Sequence, residues 1–370
     1  PFLTPPPPPP TPTMVSSSAA SDVYKRQGLT PLVGREAEWA QLQTAWRRAA
    51  RGPRFVLLLG EAGIGKTRLV EELLHWAARQ NIDHAYGRCY AAEGDLAYAP
   101  VAALLRARPL PALDDVWLAE TAVLLPEIVA EHPNVAPPRP MTVGWQRLRL
   151  IEALARAVAG DGRPLLLVID DLQWCDRDSL EWLHYLLRFD PKAHLLVVGT
   201  CRPEELDADC PLTQTLPAMH RDVRLRELEL GPLDEAETAS LAAGVSGETL
   251  DPALTARLYT ETEGNPLFVV ESLRAGQPTG AEQPDAAGLP LPPRVQAVLA
   301  TRLAQLSEPA RHLAEVAATI GRGFAVPLLQ RAADTGEESL TRDLDELWRR
   351  RIVRERGLDA YDFGHDKLRE

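Results

Sequence analysis

The apolar positions along this chain follow two rhythms. One is the short unbroken run. Phe55–Leu59, Leu165–Ile169 and Leu195–Val198 are purely hydrophobic, as strands covered on both faces of a parallel sheet are. Ile82–Tyr86 and the alternating Arg224–Leu230 are predicted as two further strands. The other rhythm is helical spacing. Trp39, Leu42 and Trp46 predict a helix from about Ala37 to Arg48. Leu69, Val70, Leu73, Leu74 and Ala77 predict one from Thr67, and Leu148, Leu150, Ile151, Leu154 and Val158 one over 145–159. Residues 96–106, 117–130 and 178–188 also read as helices, punctuated by Pro109, Pro111, Pro126 and the Pro133–Pro140 stretch. Strands alternating with helices predict an α/β fold on a parallel sheet.

Beyond the last strand the pattern is helical. Asp234 and Glu237 form a capping-box signature, and Asp251-Pro252 places a cap before a first-turn proline. In Gly264-Asn265-Pro266 the glycine can end one helix and the proline begin the next. Residues 276–293, rich in Gly, Pro, Ala and Gln, read as a linker. Helices are then expected over 295–306, 309–320, 326–333 and 338–350, followed by a hairpin pairing 352–354 with 361–363 across Gly357. Helices ending in a hairpin suggest a winged helix. The expected divisions are a disordered tail (1–29), a core (30–229), a helical lid (230–275), the linker (276–293) and a winged-helix-like part (294–370). The tail contains six consecutive prolines, Pro5–Pro10, and Val15–Gln27 resembles translated adapter sequence rather than native protein. The chain stops inside a helical pattern at Asp366–Glu370 without a stop signal, as a truncated product would.

Three strand ends carry chemistry. After Phe55–Leu59 comes Gly60-Glu-Ala-Gly-Ile-Gly-Lys-Thr67, the G-x-x-x-x-G-K-T phosphate loop, with a strand before it and a helix behind it. Gly60, Gly63 and Gly65 let backbone N–H groups curl around an anion, and the helix adds its positive end. The whole of Gly60, Glu61, Ala62, Gly63, Ile64, Gly65, Lys66, Thr67 and Arg68 is expected to line a nucleotide. Lys66 would reach the outer phosphates and Thr67 would hold Mg²⁺. Leu165–Ile169 ends in Asp170-Asp171, placing carboxylates at the carboxyl end of a strand, where ligands gather in open α/β sheets. Asp170 would bind Mg²⁺ and Asp171 would activate water. The pair could instead simply cap the next helix. Leu195–Val198 leads to Thr200 and Arg202, both expected to face the nucleotide, Arg202 by forked hydrogen bonds to the terminal phosphate. An ordinary surface arginine would look the same in sequence.

Composition narrows the classes. A chain of 370 residues with 45% hydrophobic and 25% charged residues is that of a globular protein. Its net charge of −12 argues against broad attraction to nucleic acid or to an anionic membrane. The four cysteines, Cys89, Cys175, Cys201 and Cys210, show no metal-ligand spacing and read as reduced thiols of a cytoplasmic protein. No apolar run approaches the length of a membrane span.

Together, L-V-G-R-E (32–36), G-E-A-G-I-G-K-T (60–67), L-L-L-V-I-D-D-L-Q-W-C-D (165–176), V-V-G-T-C-R-P-E-E (197–205), T-E-G-N-P-L-F-V (262–269) and F-G-H-D-K-L-R-E (363–370) resemble one family. It is the STAND class of P-loop NTPases, with AAA-type or origin-recognition-type ATPase domains, common in bacterial LuxR-type and SARP-type transcriptional regulators. The resemblance implies ATP or ADP with Mg²⁺ as cofactors and a five-stranded AAA-like sheet followed by a helical lid and a winged helix. It places Val33 and Gly34 beside the adenine, Pro266 on the adenine, and His365 as a sensor of ADP. The second acid is Asp171 where motor-type AAA proteins carry glutamate, so slow hydrolysis is expected.

These features lead to a nucleotide-driven switch inside a larger regulator, with self-association or an effector domain as its output. The alternatives are a DNA-binding initiator-type ATPase and a constitutive ATPase machine. Residues 294–370 hold 12 Arg and 1 Lys against 13 Asp and Glu, so direct DNA binding by this stretch is not expected.

Overall fold

The computed structural model describes residues 32–93, 96–136, 144–276, 293–321, 323–350, 352–355 and 360–363. The 1–29 tail, most of the linker and His365 lie outside the described residues. Helix α1 (Glu36–Ala49) leads into β1 (Arg54–Leu59), the phosphate loop and α2 (Lys66–Arg79). Then come β2 (Asp83–Arg88), α3 (Ala99–Arg106), α4 (Asp115–Thr121), α5 (Glu127–Glu131), α6 (Gly144–Ala159), β3 (Leu165–Asp170), α7 (Arg177–Phe189), β4 (Leu195–Cys201), α8 (Pro211–Asp222) and β5 (Leu225–Glu229).

The sheet order is β2-β3-β4-β1-β5, with every neighbouring pair parallel. Phe55, Leu57, Leu167 and Val197 enter the core on one face; Val56, Leu58, Leu166 and Val168 enter the core on the other. Apolar residues are needed on both sides, which explains the unbroken runs in the sequence. The register sets Leu59 level with Cys201 and Arg88 level with Asp170. The carboxyl ends of β1, β2, β3 and β4 thereby meet at one rim.

Three helices follow: α9 (Glu235–Ser246), α10 (Pro252–Thr262) and α11 (Pro266–Gly276). The capping box at the start of α9 is formed as the sequence implies, with Asp234 and Glu237 exchanging hydrogen bonds of 2.8 Å. Asp251 caps α10. Gly264 turns the chain between α10 and α11 at φ 74°, where a Cβ would strike the Leu233 carbonyl. The remaining elements are α12 (Pro293–Ala304), α13 (Glu308–Ile320), β6 (Gly323–Ala325), α14 (Val326–Ala333), α15 (Glu337–Arg349), β7 (Val353–Glu355) and β8 (Ala360–Phe363). Their strands form an antiparallel sheet of order β6-β8-β7. Helix α11 belongs to two cores. Val269 and Val270 pack with Leu233, Leu241 and Leu258. Phe268 packs with Leu299, Leu313 and Leu347 of the C-terminal elements.

The helix expected over 117–130 is two helices, because Pro126 has no N–H to donate and disfavours helical backbone at Leu125. The helix expected from Leu96 begins at Ala99, after Tyr98 in the left-handed region (φ 63°). Leu148, expected on the buried side of α6, is exposed. Strand β6 was too short to leave a pattern. Among the described residues no helix is long and apolar enough to cross a membrane.

Candidate functional site

The phosphate loop closes one end of a cleft of about 320 Å³. Gly60, Gly63 and Gly65 all have positive φ, at 157°, 81° and 101°. A Cβ built on Gly65 would meet nothing within 4 Å, so this part of the loop is an open cradle. Gly63, Ile64, Gly65, Lys66, Thr67 and Arg68 line the cleft. Gly60, Glu61 and Ala62 do not. Their polar groups are used inside the protein: Lys66 Nζ donates to the carbonyls of Gly60 (2.6 Å) and Glu61 (2.9 Å), and the Ala62 N–H donates to Glu204 (3.0 Å). Burial first, and Arg202 with it, pushes the Lys66 pKa below the ordinary lysine value, against Glu204 and Asp171.

Asp170 is fully buried at the end of β3. Its carboxylate accepts from Thr67 Oγ1 (3.2 Å), from Tyr86 Oη (3.1 Å) and from Thr200 Oγ1. Thr200 also accepts the Asp171 N–H at 2.8 Å. Thr200 was expected to face the nucleotide; it lies behind the acids instead, because the adjacent carboxylate and N–H satisfy its hydroxyl. Burial first, and then Asp170, push the Tyr86 phenol pKa far up, so it stays a donor.

Asp171 lines the cleft in the left-handed conformation (φ 59°). Arg88 grips one of its oxygens with Nε (3.0 Å) and Nη2 (2.8 Å). Gln173 donates to the other oxygen at 3.1 Å, and Arg202 approaches it at 3.4 Å. Arg202 does line the cleft; it is held by Glu205 at 2.7 Å and lies over the Trp174 ring. The four cysteines are free and buried. Cys175 has its pKa raised by a hydrogen bond with Cys89 and by burial, and Cys201 by burial.

From the other side, Leu32 and Val33 of the opening segment line the cleft, with Leu233, Leu241, Pro266 and Val270 of the helical segment. Gly34 does not line it. Its missing Cβ leaves room for the Glu237 carboxylate of the α9 capping box. Arg35, nearly buried, bridges the carbonyls of Ile64 (3.0 Å) and Gly231 (2.7 Å).

Residues 31–198 match the family model described as AAA ATPase domain. The matched stretch is an AAA ATPase domain. An uncharacterized protein of Rhizobium meliloti is 27% identical over 383 residues; the alignment covers 92% of this chain and 35% of that protein. This chain thus spans about a third of the relative's length. The Walker-type ATPase of Pyrococcus abyssi is similar in fold, with a TM-score of 0.55, 13% identity, and coverage of 93% of this chain and 97% of that one. Cdc6p of Pyrobaculum aerophilum gives a TM-score of 0.47 at 15% identity, covering 94% of each chain.

The AAA domain is an ATP-binding P-loop NTPase module, and its residues fit that ligand. The open loop, Lys66 and the helix end suit phosphates. The Thr67–Asp170 pair suits Mg²⁺, which sites of this kind hold through one or two oxygen ligands and the phosphates themselves. Sequence reasoning missed Tyr86, Arg88, Gln173, Glu204 and Arg274. A signal existed for two of them. Tyr86 and Arg88 alternate on β2, so both side chains leave the same face at the rim. Arg274 lines the cleft from α11 and pairs with Glu271 at 3.3 Å.

Proposed function

We propose that this chain is an ATP/ADP-binding switch, a regulatory module of a larger protein with a role in transcriptional control, and a slow ATPase. The observation that carries the reading is the lining of one cleft by both the AAA core and the segment of α9 and α11, which serves as a lid. A nucleotide there touches Lys66 and Thr67 on one side and Pro266 and Val270 on the other. Its phosphates therefore favour particular lid positions, which is how a ligand biases a two-state protein. Mg²⁺ would be held by Thr67 and Asp170 and would neutralise phosphate charge. Asp171 is the candidate base, with Arg202 beside the terminal phosphate. Slow hydrolysis is supported by the state of Asp171: two guanidinium groups hold its carboxylate and fix its direction. The relative's greater length supports a module within a larger protein. The C-terminal elements, helices with a small antiparallel sheet, are read as winged-helix-like and as part of the closing machinery.

Lys66→Ala should abolish ATP binding while leaving the fold, because the side chain faces loop carbonyls and cleft rather than apolar core. Binding of labelled ATP at wild-type affinity would refute the site. A single-turnover rate similar to a low steady-state rate is expected of a switch; rapid multiple turnover would favour the constitutive machine. The initiator-type reading remains the second candidate. A sequence-specific gel shift with duplex DNA at physiological salt would promote it, whereas the neutral charge of residues 294–370 favours the switch.

A further inference from the structure

The tip of the phosphate loop is held from two sides by residues that the proposed chemistry does not use. On one side, Glu204 follows the β4 strand end and accepts the Ala62 N–H at 3.0 Å. It is almost fully buried and lies close enough to Lys66 to act on its charge. On the other side, the lid reaches the very same residue. Asn265 Nδ2 donates to the Ala62 carbonyl at 3.2 Å. One position on, the Leu267 N–H donates to the Gly63 carbonyl at 3.2 Å and also to Asn265 Oδ1 at 3.1 Å. A Cβ on Gly63 would come within 2.7 Å of Leu267 Cβ, so the two backbones are in direct contact. Asn265 is buried as well.

Ala62 thus has its donor committed to the core and its acceptor committed to the lid. These contacts need no nucleotide. A lid that swings away must strip Ala62 and Gly63, both half-buried, of their carbonyl partners and leave those carbonyls to water. The loop then loses two of the contacts that hold its shape. We propose that Asn265 and Glu204 are positioning residues that clamp the phosphate loop between lid and core, so that seating of the lid sets how tightly phosphates are held. The proposal rests on the switch reading and deepens it, since it names the device through which lid position governs nucleotide release.

The test is the dissociation rate of a fluorescent ADP from the 370-residue chain, with Mg²⁺, chased by excess unlabelled ADP. Asn265→Ala should release ADP about fivefold to tenfold faster, as expected for losing its part-buried hydrogen bond to the Ala62 carbonyl. Asn265→Asp separates clamping from helix capping. It keeps an acceptor for the Leu267 N–H but sets a carboxylate oxygen against the Ala62 carbonyl, so it should be at least as fast as Asn265→Ala. Glu204→Gln keeps an acceptor for the Ala62 N–H and should release ADP more slowly than Glu204→Ala, which should be fast. Hydrogen exchange of residues 61–64 without nucleotide should rise in the fast variants, a readout independent of binding. If Asn265→Asp and Glu204→Ala both release ADP at the wild-type rate from a folded chain, the clamp is overturned. If the wild-type chain binds no nucleotide, the switch reading fails first, and unchanged exchange in Asn265→Asp then overturns the clamp separately.

Discussion

Asp170 and Asp171 are neighbours in the chain and are held by different partners. Asp170 gathers three hydroxyls and is sealed from solvent; Asp171 gathers two arginines and an amide and faces the cleft. Different outcomes are therefore expected from similar substitutions. Asp170→Asn should weaken Mg²⁺-dependent ATP binding, seen as a loss of the affinity gained on adding Mg²⁺. Asp171→Asn should leave ATP affinity within about twofold while hydrolysis falls roughly 100-fold, the lower range for a removed general base. Equal effects on both measurements would contradict this division. Arg88→Ala should act in the opposite sense to Asp171→Asn. With one guanidinium gone the carboxylate is free to turn towards an attacking water, and single-turnover hydrolysis should rise about threefold to tenfold; a fall would mean that Arg88 serves the phosphates instead. The phosphate loop and the acidic pair were legible in sequence because their chemistry requires fixed spacing. The partners of Asp171 were not, because Arg88 lies 83 residues away and meets it only through the β2–β3 register. Thr200 was found but misdirected, since spacing locates a strand end and does not say which neighbour will claim its hydroxyl.

Among the elements, legibility followed burial. β1, β3 and β4 are covered on both faces and announce themselves as apolar runs. β2 carries a glycine, two basic residues and two half-exposed ends, and was recognised only in part. β6 has three residues, fewer than a period needs to repeat. Helix starts were read well wherever a side chain caps them, as at Asp234 and Asp251. Capping gives a prediction at this scale. Asp234→Ala removes one half of the α9 box and should cost about 1 kcal/mol, seen as faster hydrogen exchange confined to the first turns of α9. Because Glu237 also fills the space left by Gly34, the effect should extend to the opening segment. Faster exchange spread evenly over the AAA core would argue against a local role.

At the level of the whole chain, the nucleotide is expected to act as a bond between parts. ADP at about a hundred times its dissociation constant adds roughly 2.7 kcal/mol to the state that binds it, which should raise the melting temperature by several degrees. In the Asp171→Asn variant, ATP should protect the 277–292 segment from protease less than ADP does, and the two nucleotides should give different sizes on gel filtration. Identical cleavage and identical size would leave a simple ATPase domain. The order of the parallel-sheet elements, the three helices after them and the C-terminal elements could be read from the positions of turns and caps. The shared use of α11 could not, since Phe268, Val269 and Val270 form one apolar run that does not reveal its division between two cores. That division has a mechanical result. α11 is an axle with a wheel fixed on each side, so a turn of the lid proposed above would not stay within its three helices. The C-terminal elements would be carried along in the same stroke. Anything joined beyond them would sweep a longer arc than the loop that starts the motion, and a small rearrangement around a phosphate would arrive there as a large displacement.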